Sequence, residues 1–361
     1  MLEATAVFLI AVFVLVGSCA AVFGLFLVWR HAKRWFVLPL LSLFAFIGCT
    51  GAVFICGEFY YRFVYEGTDS IAGNATHQAW LAQHWHTNNW GIRDSVDYVA
   101  AAPPDKVRLT FLGDSTLAGA GIPDVSQRFA NRIRRRRGNQ WDVQVFGVPG
   151  AATKQEMALL ARLFAERPYE TDVVILHYDA NDIAELSPEF MAWWQAGEEQ
   201  QQRLHDNVLI RHSRFLEQVL SHAAMTASLD LETYQRLIES AFRGPAWQEQ
   251  VAQLRMLREF CDAHGARLVI LYKSCDAPRI KEFSDESGVA ALDLCPSEVG
   301  HTEQELVVSD TDRHASALAH GLFADAIEEF LTPLATRGPR RPVDGQLQKL
   351  ADFLAQNRGA E

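Results

Sequence analysis

RLTFLGDSTLAGAGIPD, residues 108–124, decides how this chain is read. An apolar run, Leu109 to Leu112, stops at Gly113-Asp114-Ser115, and a run of small residues follows. A buried strand that ends in a glycine, an acid and a hydroxyl presents polar groups at the rim of a sheet. The small residues behind them are expected to leave room for an incoming ligand. Working outward, Val107–Leu112 predicts a strand, 125–137 a helix, Trp141–Phe146 a strand and 154–166 a helix. Val173–Leu176 predicts a central strand, Ala266–Leu271 and Val289–Leu294 two more, and His314–Leu331 a last helix. Strands alternating with helices imply an α/β domain whose parallel sheet is covered on both faces. Short continuous apolar strands agree with that.

In such sheets ligands meet the loops at the carboxyl ends of the strands. The first strand is followed by Gly113-Asp114-Ser115, the second by Gly147-Val148-Pro149-Gly150, the third by Tyr178-Asp179-Ala180-Asn181-Asp182. Asp310-Thr311-Asp312-Arg313-His314 precedes the last helix. These residue types suit acyl transfer. A serine hydroxyl needs a base, which His314 supplies. A carboxylate beside the imidazole fixes its tautomer and stabilises the imidazolium; Asp310 and Asp312 are the candidates. The Ser115 N–H, the Gly147 N–H and the Asn181 amide are the candidate donors to an oxyanion. Gly147 fits that part because a side chain there would obstruct the backbone's approach to a substrate. Each piece alone has a structural reading: a helix cap for Asp114 or Asn181, a turn for GVPG. Their shared order along the strand ends favours chemistry. His320, further along the last helix, reads as structural. Gly119-Ala120-Gly121 is not the dinucleotide fingerprint and no phosphate-loop motif is present, which argues against a nucleotide module.

The arrangement resembles the SGNH (GDSL-like) hydrolase family over roughly residues 107–330. Ser115 in GDS matches the nucleophile block, Gly147 in FGVPG the second, Asn181 in DANDI the third and His314 the last. NNWGIRD, residues 88–94, is similar to a lead-in seen before the nucleophile block of bacterial members. The resemblance implies a three-layer, flavodoxin-like fold and a serine-based esterase, lipase, thioesterase, deacetylase or acyltransferase without metal or other cofactor. The chain departs from the pattern at Asp179, where the family has glycine, at Val145 in place of asparagine, and at Thr311, three before His314; the resemblance implies Asp312, two before it, as the first choice of carboxylate, with Asp310 the alternative. The alternatives to an esterase are an O-acyltransferase, or a non-catalytic carbohydrate-binding or assembly protein on the same fold.

The first 57 residues are a different material. No charged side chain occurs from Ala4 to Trp29 or from Trp35 to Gly57. Each run exceeds the ~20 residues that a helix needs to cross a bilayer. The basic loop between them, Arg30 to Arg34, is expected on the cytoplasmic side, which puts the remainder of the chain outside a bacterial cytoplasmic membrane. A cleaved signal peptide fits less well, because the N-terminus lacks a basic region and two spans follow each other. The expected organisation is a two-helix anchor (1–57), a connector (58–105), a hydrolase-like domain (106–332) with a helical insertion at 187–260, and a C-terminal tail (333–361). The insertion invites two readings, a lid or plain helix packing. The net charge of -11 argues against nucleic acid as a partner; the resemblance implies an ester-bearing small molecule, glycan or lipid. Arg134–Arg137 reads as a solvated helix terminus. Of six cysteines, Cys19, Cys49 and Cys56 lie in the apolar runs. Cys261, Cys275 and Cys295 allow one disulfide in an oxidising compartment, with the pairing left open.

Overall fold

Leu109 and Phe111 point to one face of their strand and Leu112 to the other, so both faces need cover. A computed structural model describes residues 2–32, 37–68, 74–228, 231–310 and 312–335. The basic-loop residues Lys33 and Arg34, Thr311 and most of the expected tail, 336–361, lie outside them. The chain divides into two compact units, Met1–Leu81 with Ala196–Leu229, and Ala82–Gln195 with Asp230–Glu361. The stretch 187–260 is thereby shared between the two.

The second unit holds five parallel strands: β1 (Val107–Gly113), β2 (Trp141–Gly147), β3 (Val173–His177), β4 (Arg267–Tyr272) and β5 (Ala290–Asp293). Their order is β2-β1-β3-β4-β5, the flavodoxin-like arrangement. On one face Leu112, Phe146, Leu176 and Ile270 pack with residues of the helices Thr153–Glu166 and Pro245–Ala263. On the other, Phe111, Val145, Ile175 and Val269 pack with the helices Phe129–Arg137 and Ala317–Leu331. The result is three layers. Helix Pro245–Ala263 buries Leu254, Leu257 and Phe260 in the core, so the end of the long helical stretch is framework. His320 is buried, accepts a hydrogen bond from the Phe129 N–H and stacks on the Phe129 ring. Cys275 and Cys295 form a disulfide between the segments following β4 and β5, and Cys261 is a buried free thiol.

The arginine run is not a solvated terminus. Arg134 turns inward and donates to both oxygens of Asp94, at 2.9 and 2.8 Å. Arg136 and Arg137 pair with Asp325 and Glu328 of the last helix. The reason is the partner that the lead-in motif brings. Asp94 also accepts from Arg128 (2.8 Å), Asn131 (3.1 Å) and the Tyr98 hydroxyl. Burial alone would raise the Asp94 pKa, but the Arg134 hydrogen bond and the two guanidinium charges win and hold it at about 2. Its ionisation therefore stabilises the fold above the ordinary carboxylate range, a contribution lost as pH falls toward that value. Arg93, next to it, is buried and donates to the carbonyls of Ala118 (3.3 Å), Gly119 and Ile122 (2.6 Å). The lead-in thus clamps the loop that follows β1.

The first unit is built on two helices, Leu2–Ala32 and Val37–Phe63, both long and apolar enough to cross a membrane. Ser18 and Gly48 meet where they pair, small residues that let backbones approach. Helices Val208–His212 and Arg214–Ser228 join them. Glu58, fully buried, accepts from the Ser213 hydroxyl (2.8 Å) and the Arg214 and Phe215 N–H groups, capping the second of these helices.

Removing one partner of a buried ion pair leaves the other charge uncompensated. Asp94→Ala is expected to destabilise the protein by about 3–5 kcal/mol. Urea unfolding of the full chain, followed by near-UV circular dichroism, measures it. A loss below ~1 kcal/mol, the ceiling for exposed pairs, would contradict this account.

Candidate active site

The turn after β1 is made by close packing. The Asp114 side chain accepts from the Thr116 N–H at 3.0 Å and caps a helix of one turn, Ser115–Ala118. Ser115 is thus the first residue beyond the cap, at the rim of the sheet. A Cβ on Gly113 would sit 2.8 Å from Leu117, and one on Gly147 would sit 2.3 Å from the Ala118 nitrogen, with backbone on every near side. Gly121 has φ +77°, and a Cβ there would meet Val308 and, at 2.9 Å, an Asp312 carboxylate oxygen. The small residues after Ser115 are therefore packing seats rather than open room for a ligand. They let β2 and the Asp312 loop close on the short helix.

That second loop holds His314. Val307 and Ala315 form an isolated antiparallel bridge, and the Val308 N–H donates to the His314 carbonyl at 2.9 Å. Between them Ser309 and Asp312 bond each other's backbone. Asp312, buried, accepts from both the His314 N–H (3.1 Å) and the imidazole Nδ1–H (2.5 Å). His314 Nε2 lies 2.9 Å from Ser115 Oγ, placed to accept the hydroxyl proton. Asp310, the alternative carboxylate, is exposed. Residues far apart in sequence thus form one hydrogen-bonded line, Ser115–His314–Asp312.

The remaining residues separate into buried and open ones. Gly147 is buried beneath Ala118, so its lack of a side chain serves the helix rather than a ligand. Gly150, three positions on, is exposed, with φ +76° and open space where a Cβ would be. It occupies the left-handed position of a turn closed by the Ala151 N–H to the Val148 carbonyl at 3.0 Å. The sequence reading recognised GVPG as a turn, for which proline followed by glycine is the signal, but chose Gly147 rather than Gly150 as the donor. Asn181 opens the helix Asn181–Ala184. Its amide donates to the Ala151 carbonyl at 3.4 Å and lies close enough to Asp114 to favour that residue's ionised form. Asn181 therefore borders both the glycine turn and the Ser115 cap.

Asp179 stands at the family's glycine position and is half-buried. It accepts from the Thr116 hydroxyl (3.1 Å) and the Ala180 N–H (2.7 Å). Asp114, His177 and Asp179 each bring a ligand-type atom to within 4.8 Å of the other two. Burial, and then the Asp179 charge, push Asp114 up to about 7. Burial pushes His314 down, but the Asp312 hydrogen bond and charge, with Asp114 and Asp179 behind them, raise it above its ordinary value on balance. Below, Asp182 accepts from the Asp179 N–H (2.8 Å) and the Thr153 hydroxyl (2.6 Å), and Thr153 accepts from Gln250 (2.8 Å). This strut ties the Asn181 loop to both helices of one face.

The geometry offers a hydroxyl, a base with its carboxylate, and hydrogen-bond donors around one rim. Residues 111–303 match the GDSL-like Lipase/Acylhydrolase family. Among solved structures, TesA is 15% identical over 63% of this chain and 99% of its own, with a TM-score of 0.39. A lipase/acylhydrolase from Enterococcus faecalis is 14% identical over 66% of this chain and 100% of its own, TM-score 0.37. A carbohydrate acetylesterase family member from Sinorhizobium meliloti is 12% identical over 63% and 99%, TM-score 0.35. No curated protein matches significantly. The matched span runs from β1 past β5 and takes in the Ser115, Gly147 and Asn181 blocks, so this chain belongs to the GDSL-like lipase/acylhydrolase family.

Proposed function

We propose that the protein is a serine esterase or acyl hydrolase of the SGNH type. In this reading it is anchored by its two apolar helices and acts outside the cytoplasmic membrane on ester-linked acyl groups of envelope glycans or lipids. The observation that carries the chemistry is the line Ser115 Oγ–His314 Nε2, 2.9 Å, with Asp312 on the far side of the ring. His314 takes the Ser115 proton as Oγ attacks the ester carbonyl. Asp312 holds the tautomer and stabilises the imidazolium. The oxyanion is met by the Ser115 N–H and the Asn181 amide. The exposed Gly150 N–H takes the part that the sequence pattern assigns to Gly147. His314 then returns the proton to the leaving alcohol, and water, activated by the same imidazole, releases the acyl group. This chemistry asks nothing of a metal ion. The envelope location is supported by the helices Leu2–Ala32 and Val37–Phe63, by the basic loop between them, and by the Cys275–Cys295 disulfide, which suits an oxidising compartment.

A fluorophosphonate probe is expected to label the wild type and not Ser115→Ala. Hydrolysis of nitrophenyl esters should fall by about 10²- to 10⁴-fold in His314→Ala and survive EDTA. Labelling of neither protein would turn the reading toward a non-catalytic binding member; loss with EDTA would contradict the metal-free mechanism.

The base works only when neutral, so activity should rise with pH through the His314 pKa, above the ordinary imidazole value. Asp179→Gly removes one of the charges that raise it. The acid limb of kcat/KM should then move to lower pH. An unmoved or raised limb would show that Asp179 does not act on the imidazole.

A further inference from the structure

In the unit Met1–Leu81 with Ala196–Leu229, the helix Arg214–Ser228 is built inside out. Ser213, Glu217, Gln218 and Ser221 are buried, at 0, 4, 3 and 0% exposure. Val219 and Leu220, on the opposite side, are 44 and 38% exposed. With Leu216 and Ala223 they form an outward stripe at the three- and four-residue spacing of one helix face. Just before it, Val208 and Leu209 are 60 and 65% exposed. Ser213 and Glu217 are engaged. The Ser213 hydroxyl donates to Glu58, and Glu217 accepts from the Ala75 N–H (2.9 Å) and faces His205 Nδ1 (3.1 Å). A water-facing amphipathic helix arranges these classes the other way round. The arrangement makes physical sense only where the outside is less polar than water.

The neighbours say what that outside is. Phe215 packs edge-on against Phe54, ring centroids 6.0 Å apart, and its ring fills the space beside Gly57. Phe54 and Gly57 belong to the last turn of the uncharged run that ends at Gly57. Arg62 donates to the His212 carbonyl at 2.9 Å, which brings the backbone flanked by Arg211 and Arg214 to the end of that apolar helix; arginines beside the end of a span suit phosphate headgroups. We propose that the Val208–Leu220 segment is an interfacial collar. Val208, Leu209, Leu216, Val219 and Leu220 enter the outer lipid–water boundary of a phospholipid bilayer around the two spanning helices. This rests on the membrane-anchored reading above. The collar comes from within the hydrolase sequence, between Asn181 and β4. The chain therefore passes between the units near residues 81, 195 and 230, and the tether has three strands of chain rather than one.

The test is photocrosslinking of the full chain in vesicles of phosphatidylcholine and phosphatidylglycerol, with p-benzoylphenylalanine placed singly. Leu209→p-benzoylphenylalanine and Leu220→p-benzoylphenylalanine probe the collar. Phe46→p-benzoylphenylalanine probes the span, where Phe46 is exposed, and Val299→p-benzoylphenylalanine an exposed site of the hydrolase unit. The expected result is lipid adducts at 209, 220 and 46, with none at 299. Adducts at 46 without any at 209 and 220 overturn the collar and leave the anchor standing. Crosslinks from 209 and 220 to a second copy of the chain, in place of lipid, overturn it as well. Absence of lipid adducts at all four positions overturns the anchor and the collar together.

Discussion

The short helix Ser115–Ala118 and the turn after it rest on three glycines, against the Ala118 backbone at Gly147, the Leu117 side chain at Gly113, and the Val308 and Asp312 side chains at Gly121. β2 meets it at Gly147, β1 turns under it at Gly113, and the Asp312 loop closes over Gly121. The rest of the site depends on this fit. A methyl group at Gly147 would drive the helix off β2 and carry Ser115 Oγ out of its 2.9 Å contact with His314. Arg93 finishes the clamp by donating to the carbonyls of Ala118, Gly119 and Ile122. The hydroxyl is therefore placed by framework contacts, and the residues around it are small because neighbouring backbone and side chains need the space.

What the sequence disclosed follows from where its signals are local. Strand positions were legible from short apolar runs, and the parallel sheet from their alternation with helices. The functional residues were legible because each stands directly after a strand or before the last helix. Asp312 rather than Asp310 could not be derived from spacing alone; the distinction comes from the turn that Ser309 and Asp312 make, which buries one carboxylate and exposes the other. Arg134 looked solvated because its partner, Asp94, is 40 residues away and nothing in the run itself marks it. Gly147 looked like the open glycine because the pattern identifies a glycine and not its neighbours. Only the Ala118 backbone beneath it separates its role from that of Gly150. The division of 187–260 between two units was hidden for a related reason. Polar and apolar residues of Arg214–Ser228 have ordinary helical periodicity, and periodicity does not say which face is outside.

The acidic surroundings of Ser115 pose the hardest physical question, because a family glycine has become Asp179 beside groups that in the proposed reaction meet an oxyanion. Two close carboxylates do not both ionise freely. Asp114 yields: with its pKa pushed up to about 7 it carries a full charge only on the alkaline side of neutrality. Burial also pushes Asp182 and Glu156 well above the ordinary carboxylate range, with the Asp182 charge adding to the shift at Glu156. Asp179 accepts from the Thr116 hydroxyl and the Ala180 N–H. One negative charge so placed opposes an oxyanion and favours an imidazolium. The two forms arise together when Ser115 attacks, so the field of Asp179 largely cancels between them. Its uncancelled effect falls on the resting enzyme, where it raises His314 and shifts the working range to higher pH.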